Sequence, residues 1–72
     1  MTDAEVAAEL RAAIPRVVRT GSSPLWHSLL MSARAEWAYL DSLPAERFGI
    51  GWTRWDRIAA LTRAAQRLEA KP

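Results

Sequence analysis

The chain reads as an all-α protein, a small bundle of three main helices plus one short helix. Three features of the sequence predict this class. Apolar residues recur at spacings of three and four, a helix-start signal precedes each such run, and no alternating apolar pattern is long enough for a sheet. At 72 residues, half of them apolar and a quarter charged, residues 1–72 make a single domain near the lower limit at which a core holds a fold without staples. Cysteine is absent, so packing or a second subunit must supply the stability. Four tryptophans suit that need, since each ring buries about 150–250 Å².

The first helix is expected over about residues 3–19. Thr2 and Glu5 have the spacing of a capping box, in which hydroxyl and carboxylate each satisfy a free amide at the helix start. Val6, Leu10, Ile14 and Val17 then fall on one stripe. Pro15 lies inside the stripe and lacks the N–H that bonds back to residue 11, so the helix is expected to kink or be interrupted there. Gly21 offers a left-handed ending.

Ser23 as cap and Pro24 at the first helical position predict a second helix over 24–41. Trp26, Leu29, Leu30, Ala33, Trp37 and Leu40 share one of its faces, and Leu25, Met31 and Tyr39 widen the apolar surface. Ser42 can cap a short helix over 43–48, with Pro44 in its first turn, Gly49 ending it and Ile50 making the apolar contact that accompanies such an ending. Thr53 and Asp56 repeat the capping-box spacing before a last helix over 54–69. The expected core is Trp26, Leu29, Leu30, Trp37, Leu40, Phe48, Trp55, Ile58, Leu61 and Leu68.

Composition excludes several function classes. His27 is the only histidine, and a Ser28–His27–Glu36 arrangement fails because adjacent helical residues point about 100° apart. One histidine and scattered carboxylates make no metal-ligand spacing, and no glycine-rich phosphate loop occurs. Neither catalytic residues nor a cofactor nor a small-molecule substrate is expected. No apolar run approaches the roughly 18 residues of a membrane span, and no secretory leader is visible, so the expected location is cytoplasmic. Charge is uneven: residues 1–43 hold four arginines against five acids, residues 44–72 six basic groups against three acids. A basic C-terminal half suits an anionic partner.

The segment Asp41–Ala60 carries the remaining functional signal. Ala45 occupies a small position, Phe48 and Ile50 flank Gly49, and Trp55 and Ile58 return apolar groups to the preceding helix. This block resembles the helix-turn-helix motif of small bacterial and phage DNA-binding regulators. It departs from that motif in Pro44, in the bulk of Trp55 and in the negative charge of Asp56. The resemblance implies that the last helix enters the major groove with Gly51, Trp52, Thr53, Asp56 and Arg57 facing it. Arg57 would read a guanine edge while Arg47 and Arg54 hold phosphates. The competing expectation is a protein–protein interaction module, an adaptor or inhibitor of a larger protein. There Trp52, beside Arg54 and Arg57, anchors the partner, unless Trp52 folds back as a lid on the core. Surplus apolar surface on residues 25–40, with Val6, Leu10 and Ile14, makes a homodimer the expected assembly.

Overall fold

A computed structural model describes residues 2–25, 29–47 and 49–70. Among these residues the protein is all-α, with α1 (Asp3–Thr20), α2 (Ala33–Asp41), one 3-10 turn (Gly49–Gly51) and α3 (Arg54–Glu69), and no strand.

Thr2 and Glu5 close the reciprocal cap of α1, with the Thr2 amide donating to Glu5 Oε1 at 2.9 Å and the Glu5 amide to Thr2 Oγ1 at 3.2 Å. The stripe Val6, Leu10, Val17, joined by Ala7 and Ala13, is buried, and Ile14 is half-buried against it. The helix runs through Pro15 to Gly21, whose φ of 71° is left-handed and whose amide donates to the Val17 carbonyl at 2.8 Å. Pro15 is exposed, as is Arg11, whose carbonyl loses its intrahelical donor, so the missing bond falls on the wet side of the helix.

Helix α3 carries the second half of the core: Ala60, Leu61, Ala64, Ala65 and Leu68 face α1, and the small alanines let the two axes approach closely. The pair runs antiparallel. Arg11 near the middle of α1 pairs with Glu69 at the end of α3 at 2.7 Å, while Arg57 at the start of α3 donates to the Gly21 carbonyl at 2.8 Å.

The second helix departs from its expected span of 24–41 and begins only at Ala33. Ser32 is its cap, with extended backbone and Oγ accepting from the Ala35 amide at 3.1 Å. Glu9 of α1 reinforces that choice by accepting from the amides of Met31 and Ser32 and from the Ser32 hydroxyl. Those two amides point at a carboxylate across the fold and so are not given to a helix continuing from Pro24. Pro24 and Leu25 form a turn instead, and the Leu29 amide bonds to the Pro24 carbonyl at 3.1 Å. Trp26, His27 and Ser28 lie outside the described residues, as does Phe48.

The short helix expected over 43–48 is replaced by turns over the described residues 42–47, followed by the 3-10 turn at Gly49–Gly51. Ser42 ends α2 and does not start a new helix. It is buried, its hydroxyl donates to the Ala38 carbonyl, and Arg63 and Arg67 of α3 donate to its carbonyl and hydroxyl. Pro44 has no amide to extend a helix, and its carbonyl accepts from Trp52.

The expected core also changes. Leu30, Leu61 and Leu68 are buried and Leu29, Leu40 and Ile58 half-buried, but Trp37 and Trp55 are 66% and 70% exposed. Tyr39 takes the central place on α2: Ala35 and Tyr39, four residues apart, share its buried face, and Trp37 between them falls on the outer side.

Candidate binding site

The start of α3 is built by its cap. The Thr53 amide donates to Asp56 Oδ2 at 2.9 Å and the Asp56 amide to Thr53 Oγ1 at 3.1 Å. Thr53 thus has its hydroxyl committed to its own helix. The Thr53 amide holds the Asp56 carboxyl below the usual carboxylate range, with the Arg47 guanidinium adding to the effect. Arg47 pairs with that carboxylate at 3.0 Å and is folded against the chain.

Trp52 is not an exposed anchor. It is half-buried against the core, and its Nε1 donates to the Pro44 carbonyl at 2.8 Å, so it closes the corner between the 42–47 turns and α3. Arg57 reaches back to the end of α1, giving Nη1–H to the Gly21 carbonyl. Arg54 lies over the same glycine. A Cβ added at Gly21 would sit 3.1 Å from Nη2 at the flexible end of Arg54, so it is the left-handed φ that favours glycine at this position. Of the five residues singled out in the sequence, Thr53, Arg54 and Arg57 gather at the junction of α1 and α3. Arg47 and Trp52 instead flank the turn that precedes them.

Beside that junction is a cavity of about 440 Å³. Leu25, Leu40, Leu43 and Ile50 supply its aliphatic wall and Tyr39 and Trp52 its rings, while Ser23 and Arg57 contribute polar groups. Ile50 both lines the cavity and is fully exposed, so the space reaches the surface. It does not make the covering contact expected of a residue after a helix ending. Burial pushes the Tyr39 hydroxyl above its ordinary range, against the opposing pull of Ser23 and Arg57, and all three residues line the cavity.

Sequence reasoning missed Ser23, Tyr39 and Leu43 as members of one site. Leu40 and Leu43 do carry a helical spacing, but Ser23 and Tyr39 meet only through the turn at Pro24, which no local pattern announces. No metal-binding group of acidic residues, histidine or cysteine occurs among the described residues, and no helix there is long and apolar enough to cross a membrane. No protein-family model, curated protein or solved structure matches the chain.

Proposed function

We propose that the protein is a small helical interaction module that takes an apolar segment of a partner protein into the cavity beside α2 and α3. The observation that carries this reading is the apolar cavity itself, about 440 Å³ and within the range of roughly 300–1,000 Å³ usual for ligand sites, with fully exposed Ile50 on its edge. The exposed rings of Trp37 and Trp55 extend the apolar surface, and they also offer a second copy of the chain something to cover in a homodimer.

A DNA-binding regulator is the second reading, favoured by one observation. The antiparallel packing brings the exposed Arg16 and Arg19 of α1 to the end of the molecule that holds Arg54 and Arg57. Against it, residues 42–47 are turns where a helix-turn-helix pair needs its first helix. The side chains of Arg47, Thr53, Asp56 and Arg57 are also already bonded within the protein.

Two binding measurements separate the readings. Panning a random peptide library on the protein should return an apolar consensus whose binding Ile50→Glu abolishes and which changes little between about 50 and 200 mM salt. Duplex DNA followed by fluorescence anisotropy should show no saturable binding at micromolar protein. Saturable DNA binding that collapses over the same salt interval and is weakened by Arg57→Ala would transfer the proposal to the regulator.

A further inference from the structure

We infer that the segment this cavity takes is a chain end, an apolar C-terminal residue whose terminal carboxylate meets Arg57. The inference rests on the interaction-module reading and specifies its partner. Three features of the cavity lead to it. Its polar groups, Ser23, Tyr39 and Arg57, stand together while the remaining lining is apolar, which matches a ligand that is charged at one point and greasy elsewhere. The lining carries charge of one sign: no acidic residue is among the described lining residues, and Asp56, which also feels the Arg57 charge, is bonded to Thr53 and Arg47. The guanidinium is also held in place before a ligand arrives, because Nη1 is fixed on the Gly21 carbonyl. Arginine has further N–H donors in its planar fork, and it pairs with carboxylates through that fork.

Size argues for an end over a passing strand or helix. About 440 Å³ has room for one bulky side chain and its neighbour, and at a chain end the carboxylate belongs to the residue whose side chain fills that space. That carboxylate accepts from Arg57, and the Tyr39 hydroxyl on the same lining is a neutral donor.

The test uses acetyl-Ala-Leu-Phe with a free C-terminal carboxylate, the same peptide as its carboxamide, and hexanoate, each titrated into the ¹⁵N-labelled full chain by NMR. The acid should bind and shift amides of residues 39–43 and 50–52, with the carboxamide about ten- to a hundred-fold weaker, the range expected for one charge-assisted bond. Arg57→Gln should erase that preference. Because Arg57 also ties α3 to Gly21, Tyr39→Phe serves as a second variant that keeps the buried ring. It should weaken the acid form several-fold and leave the carboxamide unchanged.

Acid and amide binding alike, with Ile50→Glu abolishing both, would overturn this inference and leave the apolar groove standing. If neither peptide bound and panning also returned nothing, the inference and the groove reading would fall together. Hexanoate binding as tightly as the peptide acid would overturn the chain end in favour of a free apolar acid.

Discussion

Glu9 presents both carboxylate oxygens to the chain as it enters α2. Oε1 accepts from the amides of Met31 and Ser32, the latter at 3.1 Å, and Oε2 accepts from the Ser32 hydroxyl at 2.8 Å. These are charge-assisted bonds to groups that a helix start would otherwise leave unpaired. Glu9→Ala should therefore destabilise the protein by about 1–3 kcal/mol, read as a lower urea midpoint with an unchanged slope. An unaltered midpoint would mean that the Ser32 cap alone sets the start of α2. Nothing in the sequence marks this residue. Glu9 is one acid among several in an amphipathic helix, and its partners lie 22 and 23 positions away. Arg57 is the opposite case: its chemistry is legible as one of two arginines close to a tryptophan, but its bond to the Gly21 carbonyl and its place in the cavity wall are not.

At the scale of the elements, α1 and α3 are fastened by carboxylates at their ends. Backbone and hydroxyl bonds from Thr2 hold the Glu5 carboxyl below its ordinary value of 4.5. The Thr53 amide does the same for Asp56 from 3.8, and Arg11 does it for Glu69. Each group is depressed in the folded state, so in the acid range the unfolded chain binds more protons. The stabilisation is present above the ordinary carboxylate values and is lost as pH falls through the lower folded ones. Thermal melts followed by circular dichroism should show a midpoint that is level near neutrality and drops progressively below about pH 5. A midpoint flat down to about pH 2 would show that caps and end clamp contribute no net stability. The caps of α1 and α3 were readable because hydroxyl, carboxylate and amide lie within three residues of one another. The start of α2 was not, because Ser23–Pro24 is a good local signal that a tertiary carboxylate overrules at Ser32.

For the whole molecule, the radius of gyration of 11.2 Å equals the value of about 11 Å expected for a compact chain of this length. That compactness is reached with two tryptophans outside. The core is Val6, Leu10, Val17, Leu30, Tyr39, Leu43, Leu61 and Leu68 set among alanines of α1, α2 and α3. Leu61→Ala should cost about 2–5 kcal/mol, because the surrounding helices can collapse onto the space only in part. The pair Trp37→Gln and Trp55→Gln should stay within about 0.5 kcal/mol per site, as exposed positions do. Sedimentation of the same double variant tests self-association. If wild type forms a homodimer over these rings, the variant should remain monomeric where wild type does not. If both sediment alike as monomers, the rings are free for another protein.

By itself the sequence determined the helical class, the caps of α1 and α3, the stripe of α1 and the left-handed ending at Gly21. Each of these depends on residues within one or two turns of each other, where spacing and side-chain chemistry act directly on the backbone. Only the tertiary structure decided where α2 begins, which aromatic rings are core, and that Ser23, Tyr39, Ile50 and Arg57 border one cavity. Those outcomes depend on groups distant in sequence, as in Glu9 with Met31 and Ser32, 22 and 23 positions on, and Arg57 with Gly21, 36 positions back. A carboxylate or guanidinium reaching across the bundle can outweigh a local start signal, because pairing a backbone group that would otherwise be left without a partner is worth more than a helix preference of a few tenths of a kcal/mol.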